Sequence, residues 1–158
     1  MGIFKMLINE LLGTKKEYEV KDLGIFTCKV CNWYQDKHYT WSGIVQLPFY
    51  SKKTIILMEG DASAPLPQQV LELQTILQNW KSVITKLDSM LPNESRLAHK
   101  EEIYASWQDT FYPDAVNPAI PYTDGWEITF VRTDDLKDYF GFIWKNNAVR
   151  DLTLEVGA

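Results

Sequence analysis

Hydrophobic residues recur at helical spacing over 70–91. Val70, Leu73, Leu77, Trp80, Ile84, Leu87 and Leu91 step by three and four, and Ile76, Val83 and Met90 widen the stripe. Such a broad apolar face predicts an amphipathic helix laid on a sheet. Pro67 suits the first turn of this helix, and Pro92 is expected to end it. Asn93 or Ser95 can cap a second helix running to about residue 110, with Leu97, Ile103, Tyr104 and Trp107 on its apolar side. Two helices joined this closely pack antiparallel.

Strand-like segments flank the helices. Over 23–32, Phe26, Cys28 and Val30 alternate with Thr27, Lys29 and Cys31. Residues 34–38 read as a polar turn. Over 39–47, Trp41, Gly43, Val45 and Leu47 alternate with Thr40, Ser42, Ile44 and Gln46, and 54–58 is a short continuous apolar strand. After the helices, Trp126, Ile128 and Phe130 alternate with Glu127, Thr129 and Val131. Residues 139–144 are aromatic-rich, and 148–156 alternate with an expected bulge near Asp151. Asn146–Asn147 signals a tight hairpin turn between the last two strands.

At the N-terminus, residues 1–12 read as a short docking helix, stopped by Gly13 and Thr14. Lys15 and Lys16 then begin a charged connector. The order α-βββ-αα-βββ predicts an α+β fold: an antiparallel sheet of about six strands, two consecutive central helices packed on one face, and a short N-terminal helix. The length of 158 residues suits a single domain over 1–158.

Charge and cysteine content narrow the function classes. A net charge of −5 argues against binding a phosphate backbone, which relies on clustered Lys and Arg. Residues 1–12 lack a small-residue cleavage site, and no segment reaches the ~20 apolar residues of a membrane span, so a cytoplasmic location without membrane contact is expected. Cys28 and Cys31 fall three apart in a strand and therefore face opposite sides. They are expected to be reduced and metal-free, with His38 and His99 poorly placed to complete a zinc site.

No other pattern carries catalysis or metal binding. Asp134, Asp135 and Asp138 lack the Gly and Glu of a calcium loop and read as a solvated hairpin tip. Glu101 and Glu102 are adjacent on a helix and cannot face each other. Glu59 and Asp61 straddle Gly60 at a strand end. There is no nucleophile elbow and no glycine-rich phosphate loop. No catalytic residue, cofactor or metal is expected.

The segment 111–125 stands out. It holds Pro113, Pro118 and Pro121 among Phe111, Tyr112 and Tyr122, and reads as a long stiffened loop. Rigid aromatics give contact area at low entropic cost, and an Asp can pair with a basic group. Tyr112, Asp114 and Tyr122, with nearby Trp126, are therefore the expected partner-contact patch. The open sheet face and the acidic 134–138 hairpin are the next candidates. The alternative is a structural cover that packs Phe111 and Tyr122 on the sheet edge.

Trp41-Ser42-Gly43-Ile44-Val45 follows a Leu23-Gly24-x-Phe26 start, and Tyr139-Phe140-Gly141-Phe142-Ile143-Trp144 runs on into Val149-Arg150-Asp151-Leu152. This pattern of strands and aromatics resembles small uncharacterised bacterial α+β domains, some of which are regarded as immunity proteins of polymorphic toxin or interbacterial secretion systems. The resemblance spans most of residues 23–156 and carries no functional residue with it. It implies a bacterial cytoplasmic binding protein. The leading expectation is a non-enzymatic protein-binding module of the immunity type, which neutralises a cognate bacterial toxin by direct binding. A small-ligand-binding or accessory domain, with a pocket between sheet and helices, is the alternative, and an enzyme of unknown type is the third reading.

Overall fold

Strand alternation sorts the chain into two faces. Phe26, Cys28, Trp41, Val45, Ile56, Met58, Ile128, Phe130, Phe140 and Phe142 are all buried on one of them. The computed structural model describes residues 13–30, 38–119, 124–134 and 137–156. It joins the strands into one 8-stranded sheet in sequential order. The strands are β1 (Thr14–Val20), β2 (Gly24–Val30), β3 (Tyr39–Val45), β4 (Thr54–Gly60), β5 (Phe111–Pro118), β6 (Trp126–Arg132), β7 (Asp138–Lys145) and β8 (Ala148–Val156). The helices are α1 (Pro67–Gln78), α2 (Trp80–Leu97), α3 (Glu101–Tyr104) and α4 (Trp107–Thr110).

This corrects the expected antiparallel sheet of about six strands in two ways. The sheet has two more strands than expected, and it is mixed. All neighbours pair antiparallel except β4 and β5, which run parallel through Ile55↔Ala115 and Ile56↔Val116. A parallel pair cannot be closed by a hairpin; it needs a long crossover. Residues 61–110 are that crossover, and they carry all four helices across one face. The expected N-terminal helix, residues 1–12, lies outside the described residues.

Each added strand was hidden by its composition. β1 reads as a charged connector because Lys15, Lys16, Glu17 and Glu19 dominate it, yet it pairs with β2 from Thr14↔Val30 to Val20↔Gly24. It is a sheet edge, where charge discourages pairing with another chain. β5 reads as a loop because of its prolines. A proline has no N–H for the ladder, and the pairing with β6 is irregular between Pro113 and Ala115. On the other flank the strand gains a bond from β4: the buried Thr54 hydroxyl donates to the Pro113 carbonyl at 2.6 Å. Val116, 0% exposed, then anchors the strand in the core.

The helices differ from their expected limits. The 70–91 helix is interrupted at Asn79 (φ −102°), whose side-chain amide donates to the Thr75 carbonyl at 2.9 Å and competes with the helix ladder. Pro92 lies inside α2 instead of ending it. Burial of Leu91 and Ser95 on either side holds the helix together across the proline. The second expected helix is reduced to the short turns α3 and α4, and His99 takes a left-handed conformation (φ 56°) just before them. Leu97, expected on an apolar face, is 76% exposed.

The turn and bulge signals near the C-terminus hold. Asn146 and Asn147 have φ 52° and 57°, the values of a type I′ hairpin turn. The β7–β8 register shifts opposite Asp151, itself at φ 49°. In β3, Gly43 is fixed by close approach: a Cβ there would lie 2.7 Å from the Phe26 ring.

The core is aromatic. Phe130 stacks on Phe140 (centroids 4.9 Å apart) and on Trp80 of α2 (6.1 Å), and meets Trp107 of α4 edge-on at 5.7 Å. Tyr104 of α3 stacks on Phe111 at 5.2 Å, and its hydroxyl donates to the Tyr139 carbonyl at 3.4 Å. Of the helix residues expected on the sheet, Leu87 is fully buried, whereas Leu77 and Ile84 are half-buried beside the core.

Leu87→Ala is therefore expected to cost ~2–5 kcal/mol, and Leu97→Ala to stay within about 0.5 kcal/mol, by urea denaturation. A second expectation concerns alkali. Burial, with the nearby Asp138 charge, pushes the Tyr104 phenol up to about 12. The folded state therefore holds its proton more tightly than the unfolded chain, whose phenol titrates near 10. This contribution is complete below pH ~10 and is lost as pH rises toward ~12. Tyr104→Phe should flatten the fall in melting temperature across that window.

Candidate protein-binding surface

With all four helices on one side, the other face of the sheet is uncovered among the described residues. The register lays its side chains out in rows across the strands. One row runs Ile44, Ile55, Ala115, Thr129, Gly141, Thr153. Its β3–β4 end is an apolar ridge: Ile44 is 69% and Ile55 45% exposed, with Ile25 of β2 at 59%. Its β5–β8 end is low, because alanine, glycine and short threonines stand there.

Taller rows wall this low strip. One is Tyr112, Val131, Tyr139 and Glu155; the other is Asn117, Glu127, Ile143 and, at the β8 edge, Arg150. The walls stand four residues apart along β6 and β7, ~13 Å at the rise of an extended chain, and five apart along the bulged β5 and β8. Between them lies a trough of about 420 Å³. The carboxylates of Glu127, Asp151 and Glu155 line it, together with the Tyr139 ring, and Gly141 lies in its floor. The nearest atoms to a Cβ added at Gly141 are 3.7 Å away, so neither packing nor backbone requires glycine there. The missing side chain is what keeps the trough open.

The walls are pre-ordered by hydrogen bonds. Tyr139 Oη donates to Glu155 Oε2 at 3.1 Å, Tyr112 Oη to Asp114 Oδ1 at 3.2 Å, and Asn117 Nδ2 to Glu127 Oε2 at 3.1 Å. The bond to Glu155, with some burial and the carboxylate charge, raises the Tyr139 pKa. Burial, then the charge and bond of Asp114, raise that of Tyr112. Both phenols stay protonated donors at neutral pH.

The expected contact residues do not form one patch. Tyr112 and Asp114 stand at the β5 end of a trough wall, but in a strand instead of a loop. Trp126 lies on the opposite face: it is 3% exposed under α1, and its indole N–H donates to Glu72 Oε2 at 3.1 Å. Its alternation with Ile128 and Phe130 carried that signal in the sequence. Tyr122 lies outside the described residues. Sequence reasoning missed Tyr139, Gly141 and Glu155, which join Tyr112 only through strand pairing.

The other groups considered for chemistry hold the fold. Glu59 pairs with Gln69, which donates to its carboxylate at 3.3 Å and accepts its N–H at 2.7 Å. Asp61 accepts from the backbone N–H groups of Ser63 and Ala64. Arg132 bridges Asp134 at 2.7 Å and Asp138 at 3.1 Å across the β6–β7 hairpin. Cys28 is buried, and Cys31 lies outside the described residues. Among the described residues, no group of three or more His, Cys, Asp and Glu is placed to hold a metal ion. Nor is any helix among them long and apolar enough to cross a membrane. The chain matches no protein-family model, no curated protein and no solved structure.

Proposed function

We propose that this chain is a non-enzymatic protein-binding module that takes a basic segment of its partner into the trough on the open face of β5–β8. The observation that carries this reading is the pairing of an acidic, hydrogen-bonded lining with a floor kept low by Gly141. An arginine or lysine entering there meets the Tyr139 ring and carboxylates already oriented by neutral donors, so little ordering is needed on binding. The isoleucine ridge of β2–β4 continues the same row and supplies apolar contact beside the charged anchor. A bacterial toxin neutralised by direct contact is a partner of the kind this surface suits: its active face would be covered, and the module itself would need no chemistry.

The test is selection of a random peptide library on the immobilised chain. Sequences containing Arg or Lys should be enriched on the native surface. Gly141→Leu fills the trough on an unstrained backbone and should weaken their binding at least tenfold with no loss of melting temperature. Glu155→Lys should weaken it similarly. Equal recovery of cationic peptides by the filled variant would exclude the trough.

A second reading, small-ligand binding between sheet and helices, is favoured by one observation. A cavity of about 630 Å³ opens between α1 and the β6–β7 strands, lined by Leu71, Ile76, Trp126 and Trp144, and adjoins one of about 480 Å³ across Glu72 and Trp126. A ligand entering it should change tryptophan emission, and Trp144→Phe should reduce that response. A fragment screen without such a response would remove this reading.

A further inference from the structure

A different surface, on the helical side, breaks a local rule. Leu47-Pro48-Phe49-Tyr50 turns the chain after β3, with the Tyr50 N–H donating to the Leu47 carbonyl at 3.4 Å. Proline at the second position and a positive φ at the third follow the pattern of a type II turn. The third position normally goes to glycine or asparagine, because a Cβ is strained there. Here it is Phe49, at φ 73°. The Gln46 side-chain amide fixes the turn by donating to the Tyr50 carbonyl, with the Leu47 and Lys52 carbonyls both 3.5 Å from the same nitrogen. Among the described residues the strained conformation does not bury Phe49, which is 100% exposed. A bulky apolar ring is thus held in a conformation that favours glycine and presented wholly to solvent.

Beside Phe49 lies a groove of about 430 Å³. Tyr50, Trp80, Ile84 and Thr85 give it an apolar lining, and Trp80 Nε1 donates to the Tyr50 hydroxyl at 3.2 Å, which stiffens the wall. Lys81 and Asp88 of α2 also line it, with Phe49 itself. Lys81, Ile84, Thr85 and Asp88 follow one another at three- and four-residue helical spacing, along one side of α2. Among the described residues neither Lys81 nor Asp88 forms an ion pair; Asp88 accepts only from the neutral donors Trp107 and Gln108.

We propose that the chain self-associates about a two-fold axis through this surface, with Phe49 of each copy entering the groove of the other. A two-fold contact needs a knob and a hole side by side on one surface, and Phe49 adjoins its own groove in this way. The charges also select a second copy. Two α2 helices crossing antiparallel between Ile84 and Thr85 set Lys81 of one copy opposite Asp88 of the other, twice over. Two buried phenylalanine rings remove ~300–500 Å² from water, a part of the ~1,200–2,000 Å² of a standard interface. The dimer is accordingly weak and concentration-dependent.

Sedimentation velocity over a concentration series tests this on the full chain. The native protein should shift from monomer to dimer as concentration rises. Phe49→Gly should weaken dimerisation at least tenfold while raising the melting temperature at concentrations where both proteins are monomeric, because glycine relieves the turn. A residue with only a folding role would move both in the same direction. Thr85→Arg, which sets two like charges against each other on the axis, should also leave a monomer. Gly141→Leu, on the opposite face, should dimerise like the native chain, which keeps this test separate from that of the trough. A native chain that stays monomeric throughout, or Phe49→Gly and Thr85→Arg variants that dimerise as the native chain does, would overturn the proposal.

Discussion

The fold depends on one stack of rings. Phe130 and Phe140, nearly parallel at 4.9 Å on adjacent strands, meet Trp80, Trp107 and Tyr104 from three different helices. Large rings bury much area with few rotatable bonds, so they can tie short elements to a sheet at low entropic cost. This matters because α3 and α4 are single turns. Helices of that length have no stability of their own in water, and their place is set by Tyr104 and Trp107 on the stack.

The same crossover that brings the helices to the rings leaves the other face bare. β4 and β5 are neighbours in the sheet but are separated in sequence by every helix of the described chain. Once they pair in parallel, all the helical mass lies between them on one side. Small residues then meet along one row of the uncovered side, and tyrosines and carboxylates along the next. The candidate surface is a consequence of topology: no two strands carry it alone. The outer strands are guarded in different ways, β1 by alternating charge and β8 by the bulge at Asp151. Strand addition at either edge is thereby discouraged.

Two positions depart from the economy of the rest of the chain, and each marks a candidate contact. Gly141 lacks a side chain where the backbone would accept one; Phe49 carries a ring where the backbone favours none. Elsewhere, special conformations use suitable residues, as Asn146 and Asn147 do at their hairpin. Local misfit between residue and backbone is what function leaves behind when stability alone would choose otherwise.

What the sequence determined by itself is the local pattern. The alternation of Trp126, Ile128 and Phe130, the helical stripe through Leu73, Leu87 and Leu91, and the Asn146–Asn147 turn are all properties of neighbours within a few residues, and each is present in the structure. Trp126 was legible as a core residue from its own strand, although its composition suggested a contact. Tertiary structure decided which strands are neighbours. Edge position explains the charges of β1, and the Thr54 hydroxyl, 59 residues away along the chain, ties a proline that locally argues against a strand to β4. Tyr112, Tyr139, Gly141 and Glu155 become one surface only through hydrogen bonds between distant backbone groups. Periodicity records which way a side chain faces but not what stands beside it, so the faces could be read along the chain and the site could not.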